Sequence, residues 1–187
     1  MASTISAGTT SGTAIAISGD TSGNLAFQTQ AGANTITVPN ATGTVMVSGN
    51  MPAFSYYLSS TQSITTSTTT KILFDTKTFD TNNNFSSNRF TPTVAGYYQI
   101  NMNVIGSSSS YSSIQIYQIY KNGNPYVRSD WRYQSAIIDT GSGNMSAIIY
   151  FNGSTDYVEG YAYIVGTSPT ISSSLTTQFS GCLVRAS

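Results

Sequence analysis

Few residues in this sequence can do chemistry, and their types limit what the protein can be. The 187 residues include no histidine. That excludes Ser-His-Asp triads, Cys-His dyads and histidine-based zinc sites together. Cys182 is the only cysteine, so no disulfide forms within the chain. It falls in an expected terminal strand and reads as a small core residue rather than a nucleophile. Carboxylates remain, and a pair of them flanking a glycosidic bond can hydrolyse it. The candidates are Asp75, Asp80, Asp130, Asp139, Asp156 and Glu159. Asp75 and Asp80 flank a turn, where Asp is ordinary. Asp156 and Glu159 are three apart near a strand start, which puts them on opposite faces. Neither pair makes an acid–base couple. A carbohydrate-directed enzyme is therefore the least favoured reading, and no catalytic residue, cofactor or metal is assigned.

The densest stretch is Tyr126–Gln134, YVRSDWRYQ. It gathers Tyr126, Arg128, Asp130, Trp131 (the only Trp), Arg132 and Tyr133 in a charge-poor chain. Tyr, Trp and Arg are the usual anchors of interfaces, and aromatic rings with polar neighbours suit sugars. One reading is a contact surface, between subunits or toward a surface glycan. The other has Trp131 capping a core while the charges form a local ion pair. The sequence leaves both open.

These residues sit in a chain that is only 7% charged, with seven basic and seven acidic residues; a typical soluble protein is roughly 25% charged. Disorder requires a shortage of apolar and aromatic residues as well. Here 39% of residues are hydrophobic and 12% aromatic, including 13 Tyr, so the chain folds. Its surface must be made of hydroxyls and amides, which suits packing against other chains. Nucleic acid is not an expected partner, because phosphate neutralisation needs clustered Lys and Arg. Membrane insertion is not expected either, since no apolar run approaches the roughly 18 residues of a span.

The elements that must position these groups are strands. Residues 1–70 carry one charge, Asp20, and this composition break divides the chain into 1–50 and 51–187. In the first part the apolar pairs Ile15/Ile17, Leu25/Phe27, Ile36/Val38 and Val45/Val47 recur at spacings of 10, 11 and 9 residues. Each pair is a period-two strand signal with turn residues between. So small a sheet is marginal alone, so these strands are expected to fold against copies of themselves or another protein. SGNMP at 48–52 reads as a hinge. Beyond it, strands are expected at Phe54–Leu58, Thr70–Asp75, Tyr97–Ile105, Ile114–Tyr120, Ser146–Phe151, Tyr157–Val165 and Gln178–Val184. That spacing is the pattern of a sandwich or barrel. No window has helical periodicity. The Ser/Thr run Thr61–Thr70 and the poly-Ser segment Gly106–Ser113 read as solvated loops.

Several stretches occur in a telling order: AFSYYLS at 53–59, then KILFDTKTFDTNNNFSSNRFTPTVAGYYQINMNV at 71–104 with Phe90, Pro92 and Gly96-Tyr97-Tyr98. Ile119-Tyr120-Lys121-Asn122-Gly123, Asp156-Tyr157-Val158 and Phe179-Ser180-Gly181 follow. In this order they resemble the C1q-like domain, the jelly roll shared with the tumour-necrosis-factor group. Asn122-Gly123 suits a type I′ turn, and Gly181 suits a site where a side chain would clash. Thr155 replaces the family's glycine, there is no Gly-X-Y stalk, and no acidic cluster marks a calcium site. The resemblance implies an all-β, antiparallel jelly-roll sandwich that assembles as a homotrimer.

The segment STISAGTTSGTAIAISGDTSGNLAFQTQAGANTITVPNATGTV is similar to N-terminal stretches of tail-fibre and other structural proteins of marine bacteriophages, cyanophages included. The N-terminus has neither the basic start nor the apolar stretch of a signal peptide. The joint expectation is a virion protein, assembled in the host cytoplasm and released by lysis. It would be a trimeric fibre or spike bound by residues 1–50 to other virion proteins of capsid or tail, with a head for a host surface glycan. A capsid decoration or cement protein is the alternative.

Overall fold

The computed structural model describes residues 25–28, 35–38, 51–109, 112–137 and 140–187. The chain forms two compact units, Met1–Gly43 and Thr44–Ser187. In the first, strands β1 (Leu25–Gln28) and β2 (Thr35–Val38) form an antiparallel hairpin that pairs Leu25 with Val38 and Phe27 with Ile36. These are the two middle pairs of the sequence repeat. Ile15/Ile17, Val45/Val47 and the first three residues of SGNMP lie outside the described residues.

The second unit is built from β3 (Ala53–Leu58), β4 (Gln62–Ser63), β5 (Thr70–Lys71), β6 (Thr76–Asp80), β7 (Phe85–Ser86) and β8 (Arg89–Phe90). The longer strands β9 (Gly96–Ser107), β10 (Ser112–Lys121), β11 (Asn124–Ile137), β12 (Thr140–Phe151) and β13 (Val158–Gly166) follow, and β14 (Thr170–Ile171) and β15 (Ser174–Ala186) close the chain. They make two antiparallel sheets. The β9 sheet runs β4-β14-β9-β15-β3-β6, with β12 also paired to β9. The β10 sheet runs β11-β10-β13-β8-β7, with β5 also paired to β13. The fold is thus all-β, as expected, and the described residues contain no helix.

Alternation fills the space between the sheets. In β9 the buried residues are Gly96, Tyr98, Ile100, Met102, Val104 and Gly106, while the residues between them reach solvent. Period-two side chains place one set on each face. At one end of the core Phe54 stacks on Phe90 with ring centroids 4.1 Å apart, and Phe179 meets Phe54 edge-on at 5.4 Å. Tyr98 meets Phe151 edge-on at 5.2 Å. Each fully buried side chain of this size contributes about 1.5–3 kcal/mol. The Tyr98 hydroxyl donates to the Val94 carbonyl at 2.8 Å, and burial pushes its phenol upward.

The Asn122-Gly123 and Asp156-Tyr157 motifs interlock. Lys121 pairs with Asn124, and Asn122 and Gly123 between them have φ of 51° and 79°. This is the two-residue turn expected for Asn-Gly. The Asn122 side chain accepts from the Tyr157 N–H at 2.9 Å and donates to Asp156 at 2.8 Å. At Gly181 an added Cβ would lie 2.7 Å from Ile100 Cδ1 and 2.8 Å from the Gln99 carbonyl oxygen, so the strands close only around a glycine.

The structure corrects three expectations and adds a strand. Residues 124–137, for which no strand was expected, form a single strand of 14 residues that holds the Tyr126 cluster. Pairing across the Asn122-Gly123 hairpin overrides the run of charges. Thr70–Asp75 is a strand only at Thr70–Lys71, although Ile72 and Phe74 are buried. The poly-Ser stretch is partly structural: Gly106 and Ser107 belong to β9, and Ser108 is buried with its hydroxyl donating to the Thr167 carbonyl at 2.8 Å. Cys182 is exposed rather than in the core. Phe179, Gly181 and Leu183 take the core positions of β15, so parity sends Cys182 to the opposite face.

Candidate interaction surfaces

β11 is the edge strand of the β10 sheet, and its register fixes where each residue of the Tyr126 cluster stands. Val127 packs against the core, and Trp131 pairs with the fully buried Gln115. Val127, Ser129 and Trp131 therefore share the core-facing side, yet Trp131 stays 43% exposed because the strand lies at the sheet's margin. Arg128, Asp130 and Arg132 take the other side, opposite Gln118, Ile116 and Ile114 of β10. Arg128 grips Asp130 through two hydrogen bonds, one from Nε at 2.8 Å and one from the guanidinium end. Arg132 stands 3.7 Å from the same carboxylate. The hydrogen bonds from Arg128 outweigh the slight burial of Asp130 and hold its carboxyl below the usual range. Tyr126 is exposed. Tyr133 and Gln134 belong to β11, but their side chains, like Asp139, lie outside the described residues.

The same face carries a second cluster that sequence reasoning missed. Tyr161 pairs with Gln118 on one side and Lys71 on the other, and Glu159 pairs with Tyr120. The Glu159 side chain is 3% exposed. It accepts from Lys71 Nζ at 2.7 Å, Arg89 Nε at 2.8 Å and the Tyr161 hydroxyl at 3.0 Å. Burial opposes its ionisation, but these hydrogen bonds outweigh it and leave the carboxyl below its ordinary value. Burial first, and then Glu159, push the Tyr161 phenol up to about 12. The Arg89 guanidinium lies over the Tyr157 ring at 3.6 Å. Partners 88 and 70 residues apart leave no local signal; only the register brings them together.

The other described carboxylates are engaged locally. Asp75 accepts from the Ser59 N–H at 2.9 Å and its hydroxyl at 2.7 Å. Asp80 accepts from the Asn84 and Phe85 N–H groups at 3.0 and 2.9 Å, and Asp156 from Asn122 and Lys121. Each braces a turn or a strand end.

The outward face of the β9 sheet is of a different kind. Strands β3, β9, β12 and β15 contain one charged residue between them, Arg185. Their exposed face shows Tyr97, Ile148, Tyr150 and Val184, with Tyr97 and Tyr150 in ring contact at 5.4 Å. Beside them the Gln99 amide donates to Ser146 Oγ at 2.6 Å and to Asn101 Oδ1 at 3.2 Å, and Ser146 donates to Asn101 at 3.0 Å. With Lys77 and Asp80 on β6 the strands of the β9 sheet hold three charged residues, against seven on strands of the β10 sheet: Lys71, Arg89, Lys121, Arg128, Asp130, Arg132 and Glu159.

Among solved structures the chain is similar to the globular domain of zebrafish complement 1qA protein. The identity is 16% and the TM-score 0.54, over 73% of this chain and 98% of that one. It is also similar to murine APRIL at 11% identity and TM-score 0.53, over 72% and 99% of the two chains. The fold is the C1q/TNF jelly roll. No family model matches the sequence, and no curated protein matches it. In this jelly roll Arg128, Asp130 and Arg132 share the outer face of one sheet with the Glu159 cluster, while the other sheet's outward face is nearly uncharged.

Proposed function

We propose that the chain is a structural protein of a bacteriophage virion, a homotrimeric fibre or spike. Its N-terminal segment attaches to capsid or tail proteins and its jelly-roll head is displayed for contact with a host surface. The head has no catalytic step to perform.

The observation that carries this reading is the division of charge between the two sheets. A face of Tyr97, Ile148, Tyr150 and Val184, with amides already hydrogen-bonded to one another, loses little on leaving water and gains about 25 cal/mol for each Å2 of apolar area covered. That is the character of a surface packed against copies of itself, where buried charge is depleted. The resemblance to trimeric C1q-like domains supports three copies, and closed symmetry is the rule for such assemblies. The nearly uncharged leader, similar to phage fibre N-termini, supports attachment to a particle.

Light scattering tests the assembly. The purified protein should show about three times the 19.8 kDa chain mass, and a monomer would overturn the reading. Ile148 is 57% exposed, so Ile148→Glu should leave the fold intact and reduce the mass to one chain. Mass spectrometry of purified particles tests the location: dozens to hundreds of copies indicate the capsid, and multiples of a small tail symmetry indicate a fibre.

A further inference from the structure

We propose that the outer face of the β10 sheet is a binding site for an acidic polysaccharide, with carboxylate groups held at its two margins and sugar rings laid across the middle. This rests on the display reading above, because it takes the face left to solvent when the β9 sheet is packed between copies.

Arg128, Gln118, Tyr161 and Lys71 form one row across four strands, and Asp130, Ile116 and Tyr163 form the next. Arg132, Ile114 and Val165 form a third. Cations therefore stand at both margins, Arg128 and Arg132 on β11 and Lys71 and Arg89 beyond β13. Three strand spacings, about 14 Å, separate the two pairs. The span between them is half-buried Ile114, Ile116, Tyr163 and Val165, with Tyr120 and Tyr161 in ring contact at 4.2 Å.

Charge decides the class of ligand. Among the described residues this face holds four of the chain's seven basic residues and two of its seven acidic ones, in a molecule with no net charge. Both carboxylates are already occupied, Glu159 beneath Lys71, Arg89 and Tyr161, and Asp130 by Arg128. Arg132 remains 62% exposed. Four cations paired with only two carboxylates leave this face positive, while the middle offers rings and methyl groups. A polysaccharide with an acid group on some of its sugars meets both features. A nucleic acid carries a phosphate on every nucleotide and asks for a continuous basic track, which two separated pairs do not provide.

The test uses the full-length trimer with alginate as the acidic chain, dextran of matched length as the neutral control and oligothymidylate as the competing polyanion. Alginate should bind, weaken as salt rises, and bind at least tenfold more tightly than dextran. Arg128→Glu with Arg132→Glu should weaken alginate binding at least tenfold while light scattering still gives three chains. Arg132→Gln alone, at an exposed site, should weaken it severalfold and keeps the question open to measurement if the double variant does not fold. No alginate binding at low salt, equal binding of dextran, tighter binding of oligothymidylate, or unchanged affinity in a folded variant each overturns the site. In every case an intact trimer mass leaves the assembly reading standing.

Discussion

Two single residues set local conditions that the rest of the head depends on. At the β10–β11 turn, Gly123 has φ of 79° and an added Cβ would meet only the Tyr157 hydroxyl at 3.6 Å. Space is available there, so the cost of a side chain is backbone strain alone. Gly123→Val should lower stability by roughly 1–3 kcal/mol, measured by denaturant unfolding. Glu159 acts through pH. Its carboxyl in the folded protein lies below the ordinary value of 4.5, so its ionisation favours the folded state above that value. The contribution fades as pH falls through the folded value, because the native carboxylate must then take up a proton. Melting temperatures should therefore drop from about pH 4.5 downward in the natural protein. Glu159→Gln should be less stable at pH 7 and should lose less on acidification; parallel acid profiles would rule out this role for Glu159.

Elements were legible where apolar alternation was clean. β9, with Tyr98, Ile100, Met102 and Val104 on one face, and the Asn122-Gly123 hairpin could be placed from sequence alone. β11 could not, because Arg128, Asp130 and Arg132 occupy the outward positions of a strand that lies at the sheet's edge. There the apolar signal shrinks to Val127 and Trp131. In β15 apolar Cys182 and Val184 made both faces look buried, and only pairing with β3 and β9 fixed the parity. The site was half visible: the Tyr126 stretch stood out by density, whereas Glu159, Lys71 and Arg89 meet only through register. Trp131 illustrates the middle ground, being core-facing yet 43% exposed. Trp131→Ala should cost about 1–3 kcal/mol, less than the roughly 3–5 kcal/mol of a fully buried Trp. Thermal unfolding of the variant checks this, and a cost at the full core value would show that the ring is held more tightly than its exposure implies.

For the whole molecule, the two compact units imply that the head folds without the leader. The cut matters. The Pro52 carbonyl accepts the Leu183 N–H at 2.9 Å, so a head beginning after Pro52 would lose a bond to the last strand. Residues 51–187 alone should fold to a soluble protein with the melting temperature of the full chain, read by circular dichroism, while failing to join particles. An insoluble or molten head would show that the leader is part of the folding unit. Salt should separate the two sheets as well. Association through a face with so little charge should be nearly indifferent to ionic strength, whereas contacts made by the β10 sheet should weaken as ions screen them.

The long margin of β11 carries a further consequence. An edge strand presents unpaired backbone groups, and in a protein so poor in charge it is the place where stray chains would add themselves and begin an aggregate. Arg128, Asp130 and Arg132 put alternating charge along that margin, the device by which natural sheets discourage edge-to-edge growth. The residues proposed to face a ligand are thus also the guards against aggregation. Retargeting the head by replacing the arginines with neutral side chains would cost it solubility, and any new specificity built here has to keep a charge on that edge.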